Sequence, residues 1–203
     1  MGKKFATWIT MMINLVKITL MNCDRCEEFP LFGQLPKLRE MEVNGMNKVK
    51  VIGSDSYGGL DSDCKAAKTV TTIYPSLTKL ILWDLPEVEE WLEPVIKTGC
   101  EDTTTVNSIL PAGQVDDHLL TTFSALTKLE IFDFQGVKSL PEPLAKLLSL
   151  ERLFIWNCTN LGSLPLFEKS SSLKYLVIHG SPIMKERCEQ GRPEWFKIQH
   201  KYL

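Results

Sequence analysis

Cysteine, histidine, long apolar runs and any excess of one charge are scarce in this sequence, and each scarcity removes a class of function. Six cysteines in 203 residues are too few for the dense disulfide framework of a small secreted domain. A reducing compartment, cytoplasmic or nuclear, is therefore expected. The three histidines, His118, His179 and His200, stand far apart without H-E-x-x-H spacing, so no metal site is expected. The uncharged stretch from Phe5 to Val16 behind Lys3-Lys4 has the outline of a leader. Thr7, Thr10 and Asn14 dilute it, however, and Lys17 ends it short of the roughly 20 apolar residues of a membrane span. No membrane span is expected. Finally, 23 Lys+Arg stand against 25 Asp+Glu, and a net charge of -2 offers nucleic acid no basic face.

What the sequence has in quantity is a repeat. An apolar residue followed by others three and five positions on occurs six times: Leu15-Ile18-Leu20, Leu38-Met41-Val43, Leu77-Leu80-Leu82, Leu126-Leu129-Ile131, Leu150-Leu153-Ile155 and Leu173-Leu176-Ile178. Successive starts lie 23, 39, 49, 24 and 23 residues apart, so a unit of 23 to 24 residues is interrupted twice, by insertions placed at 53–74 and 92–122. Positions eight, eleven and fourteen after each start are also apolar in nearly every unit, as in Leu85, Val88 and Trp91 or Phe134, Val137 and Leu140. The last unit alone turns polar, with Ser181 and Arg187.

In L-x-x-L-x-L the last two apolar residues point to one side of a strand and the residues around them to the other. The later apolar positions, spaced by about three, bring a turn or short helix back over the same core, and stacked coils bury what one coil cannot. This is the logic of a leucine-rich repeat. The expected fold is an α/β horseshoe solenoid, one domain over 1–203, with a parallel concave sheet. About six irregular repeats follow a partial first repeat at 1–14, and a C-terminal cap spans 182–203.

Other chemistry reads as structure. Cys23-Asp-Arg-Cys26 is a C-x-x-C, but both thiols fall on inward positions and no second pair completes four ligands. Asn157-Cys-Thr159 fits the glycosylation pattern and also sits where a strand turns. Between Asp84 and Asp117 there are nine acidic residues and one basic, a solvated acidic insertion without nucleophile, activated histidine or G-x-S-x-G. No enzyme activity is expected.

The outward positions of the six strands are Lys17, Thr19 and Met21; Glu40, Glu42 and Asn44; Lys79, Ile81 and Trp83; Lys128, Glu130 and Phe132; Arg152, Phe154 and Trp156; Tyr175, Val177 and His179. The last four triplets are the candidate partner-binding face, because Trp83, Phe132 and Trp156 hold equivalent places and should stack at the roughly 4.8 Å strand spacing. The alternative is that the 92–122 insertion folds over this patch.

The sequence resembles the C-terminal leucine-rich repeat region of plant nucleotide-binding disease-resistance proteins. The resemblance lies in Leu15-Val-Lys-Ile-Thr-Leu-Met-Asn-Cys23 with Phe29-Pro30, in Gly33-Gln-Leu-Pro-Lys-Leu38, in Leu80 to Pro86 with Glu90-Trp91, in Ser163-Leu-Pro165, and in the Cys188, Gly191, Trp195 and His200 ending. It implies a recognition and autoinhibitory region of an intracellular immune receptor. Its partners would be proteins: a pathogen effector, a host protein or the receptor's own nucleotide-binding domain. No cofactor is expected in this chain, since G-x-x-x-x-G-K-[ST] is missing and ADP/ATP would bind an upstream domain. Ala6 and the final His200-Lys-Tyr-Leu203 depart from the family's pattern, and a fragment, a truncated gene product or an isolated C-terminal domain is expected. The second reading is a free-standing adaptor or scaffold, such as a substrate-selecting repeat.

Overall fold

The computed structural model describes residues 7–30, 32–52, 74–91, 123–167, 172–189 and 191–192. Each apolar triplet forms a strand of five residues: β1 (Lys17–Met21), β2 (Glu40–Asn44), β4 (Lys79–Trp83), β6 (Lys128–Phe132), β7 (Arg152–Trp156) and β8 (Tyr175–His179). They make one parallel sheet in the order β1-β2-β4-β6-β7-β8. The register joins equivalent repeat positions throughout, as in Trp83 with Phe132 and Phe132 with Trp156. β3 (Val51–Ile52) and β5 (Glu90–Trp91) pair on the return side of the coil, and Ser139 bridges Ser163 in the same manner further along. This is a leucine-rich α/β solenoid.

The core is a single stack of the inward residues. Met41 and Val43, Leu80 and Leu82, Leu129 and Ile131, and Leu153 and Ile155 are buried, and their outward neighbours are not. Coils stack only on their neighbours, so the terminal strands are less enclosed: Ile18 and Leu20 in β1 and Leu176 and Ile178 in β8 are half-buried. At the C-terminal end, α1 (Pro182–Arg187) covers the last coil with the buried Met184, and Arg187 Nη1 donates to the Gly162 carbonyl at 2.8 Å. Between β7 and the strand before it, the return path contains a 3-10 helix, Glu142–Lys146, behind Pro141. The proline's fixed φ suits that helical entry.

Two features hold each strand at its ends. The residue seven places after each triplet start adopts a left-handed conformation: Asn22, Gly45, Asp84, Asp133, Asn157 and Gly180, with φ between 52° and 70°. Asn, Asp and Gly are the residues that tolerate it. Its N–H then extends the ladder to the next strand, as Asp84 does to the Phe132 carbonyl at 3.1 Å and Asp133 to that of Trp156 at 3.0 Å. Three places before each of the first five starts, an apolar residue closes a turn by accepting from the start residue's N–H. These residues are Met12, Leu35, Tyr74, Phe123 and Leu147.

Tyr74 and Phe123 are buried, also left-handed, and stacked with ring centroids 5.0 Å apart. The repeat therefore resumes at Tyr74 itself, the residue with which the expected 53–74 insertion ends. The remainder of that insertion, all of 92–122 and the end of the cap at 193–203 lie outside the described residues.

Candidate functional site

The outward face of the sheet carries the expected columns. Trp83, Phe132, Trp156 and His179 end β4, β6, β7 and β8 in register, and their rings follow one another at 5.2, 6.0 and 5.1 Å with tilts of 31° to 47°. Such tilted, offset contacts are the ordinary preference of aromatic neighbours. Trp83 is 43% exposed and Trp156 38%, large apolar surfaces for a folded chain to leave in water. The Trp83 indole is also aimed: its Nε1–H donates to Asp133 Oδ2 at 2.8 Å, so a residue of the next unit fixes the ring's orientation.

The middle column is half-buried at Ile81, Glu130 and Phe154, and more open at Val177. The third column is cationic at Lys79, Lys128 and Arg152, then ends in Tyr175. Lys128 Nζ sits 2.8 Å from Glu130 and 5.2 Å from the Phe154 ring centroid. Arg152 lies 5.7 Å from the Tyr175 ring centroid, in cation–π range. All twelve expected face residues thus share one surface. In the first two units the same face is polar apart from the exposed Met21, with Lys17 3.2 Å from Glu40 across β1 and β2.

Residues 1–46 match the R13L1/DRL21 leucine-rich repeat family, a stretch that takes in the first unit and the strand of the second. Three curated plant proteins match most of the chain. Disease resistance protein RGA2 of Solanum bulbocastanum is 30% identical over 154 residues, 75% of this chain and 15% of its own length. Putative disease resistance RPP13-like protein 1 of Arabidopsis thaliana is 28% identical over 192 residues, covering 81% of this chain and 18% of its own length. Putative disease resistance protein RGA1 of Solanum bulbocastanum is 27% identical over 187 residues, with the same coverages of 81% and 18%.

This chain is a leucine-rich repeat region, similar in sequence to part of plant disease-resistance proteins. The region spans about a sixth of the length of these relatives. No helix among its described residues is long and apolar enough to cross a membrane.

The described cysteines of the leucine-rich repeat region, Cys23, Cys26, Cys158 and Cys188, serve the coil. Cys158 is buried, its Sγ 3.4 Å from the Trp156 carbonyl, and burial pushes its thiol up to about 11. Ser181 takes the equivalent place in the next coil, where its Oγ accepts the Cys158 N–H at 3.1 Å, so that buried hydroxyl is satisfied. Cys23 and Cys26 are raised first by burial, and each faces the other in a turn closed by the Cys26 N–H on the Cys23 carbonyl at 3.0 Å.

A raised pKa means that the folded chain binds the Cys158 proton more tightly than the unfolded chain. Its stabilising contribution is complete below about pH 9 and is lost as the pH rises towards 11. At pH 8, native Cys158 is expected to alkylate about a hundredfold more slowly than in urea, a two-unit loss of thiolate. Iodoacetamide time courses read by peptide mass spectrometry check this, and equal rates in both states would refute it.

Two residues of the site were missed in the sequence, Asp133 as the Trp83 anchor and Asn157 as the cover of Gly180. Both follow a strand directly, and the run of Asn, Gly, Asp, Asp, Asn and Gly at that place was the available signal.

Proposed function

We propose that the leucine-rich repeat region is the recognition surface of an intracellular plant immune receptor. It binds protein through Trp83, Phe132, Trp156 and their neighbours on the outward sheet face, and the bound protein is an effector, a host protein or the receptor's own nucleotide-binding domain. The observation that carries this reading is the aromatic ladder left open to water across successive units. A row of half-exposed indoles fixed by neighbouring side chains has hot-spot composition at little entropic penalty. The relatives' names support the defence setting, and the balanced cysteine-poor composition supports the cytoplasm or nucleus. The chain itself would bind no nucleotide and catalyse no reaction. The two insertions, the partial first repeat and the cap would complete one domain.

The test is the double variant Trp83→Ala with Trp156→Ala. Two hot-spot side chains are together worth about 3 kcal/mol or more, so retention of proteins co-purifying from plant cells should fall about a hundredfold or more. The melting temperature should move only a few degrees, because neither indole belongs to the core. Leu148→Ala with Leu166→Ala removes two other exposed apolar residues, away from the sheet, and should change nothing. Unchanged retention by the tryptophan variant overturns the reading.

A further inference from the structure

The binding face has two rows of different chemistry, and their spacing limits what can lie on it. The aromatic row ends the strands, and the cationic row of Lys79, Lys128 and Arg152 begins them, in register on adjacent strands. Lys128 is already neutralised by Glu130. Lys79 and Arg152 form no ion pair among the described residues, so two positive charges remain open, two strands apart.

Along a strand the rows are four residues apart, about 13 Å, which matches the roughly 10–12 Å width of an α-helix with its side chains. Across the strands the repeat is about 4.8 Å. A helix lying that way returns a residue to the same side every three or four positions, about 4.5–6 Å, and stays in step over the four aromatic units. An extended peptide returns every second residue, about 6.7 Å, and is out of step after two strands. Lys79 and Arg152 are about 9.6 Å apart on this spacing, close to the roughly 10.5 Å between helix positions i and i+7.

The geometry points to an amphipathic α-helix of the partner, crossing β4 to β8, with apolar residues on the Trp83–Phe132–Trp156 flank and carboxylates seven apart on the Lys79 and Arg152 flank. This rests on the reading of the face as a protein-binding surface.

A fluorescein-labelled helical peptide of about 16 residues, with a leucine stripe and two Glu seven apart beside it, is the probe, titrated by anisotropy. It is expected to bind about tenfold or more tightly than the same peptide with both Glu replaced by Lys. Lys79→Glu with Arg152→Glu should reverse that order, and added salt should shrink it. The inference is overturned if neither peptide binds, or if the charge-reversed protein treats both peptides as the parent does. If Trp83→Ala with Trp156→Ala abolishes peptide binding while the charge reversal has no effect, the acidic helix is wrong and the binding face stands. If neither double variant alters binding, both fall.

Discussion

Gly136→Ala is expected to destabilise the chain by about 3 kcal/mol, an effect out of scale with one added methyl group. A Cβ on Gly136 would stand 2.9 Å from the carbonyl carbon of Val88, closer still to its oxygen, and 3.3 Å from the Glu89 Cα. All three are backbone atoms of the preceding coil, which pairs in its turn at Glu90–Trp91 with β3. Relief therefore requires two coils to separate, and a solenoid whose stability is a sum of interface terms loses one of them. Gly162→Ala is the control. Its new Cβ would meet the Arg187 guanidinium at 3.4 Å and the Ile183 side chain at 3.5 Å, ordinary contacts, and its effect should stay within about 1 kcal/mol. Urea midpoints of the two variants at unchanged m-value make the comparison, and equal midpoints would show that the coils are not in backbone contact there.

Leu82→Ala should remove about 4 kcal/mol, towards the upper end for such a truncation. Leu82, the fourth residue of β4, is fully buried and already lines an apolar cavity bounded by Met41, Leu80, Trp91 and the Tyr74–Phe123 stack. The lost volume would merge with that cavity instead of being filled, and each cubic ångström left empty adds about 24 cal/mol. The next residue, Trp83, points the other way, and its truncation should act on binding instead. Neighbouring substitutions in one strand thus separate stability from recognition, as the twofold period of a strand requires. A midpoint change below about 1 kcal/mol for Leu82→Ala would mean that this part of the core is not closely packed.

The sheet was legible because its register is written in the spacing: with an inward pair fixed in each unit, every outward position follows, including the places of Trp83, Phe132 and Trp156. The return side was not. β3 and β5 have two residues each, too short for any period to show, and only the approach of one coil to the next makes them strands. Tyr74 was hidden for another reason: the chain before it belongs to an insertion, and its place is set by stacking on Phe123, a residue 49 positions away. The Lys128–Glu130 pair was foreseeable, since residues two apart share a face of a strand, whereas the aim of the Trp83 indole at Asp133 depends on the turn that follows the next strand.

The proposed function places partner proteins on the sheet face of units three to six. A photo-reactive phenylalanine analogue placed singly at positions 83, 156, 148 and 166 of the tagged chain in plant cells tests it most directly. Covalent adducts to protein at 83 and 156, with none at 148 and 166, are the result expected from the exposed ladder and the opposed controls. Adducts at 148 or 166 with none at 83 and 156 would place recognition off the sheet face and overturn the proposed function.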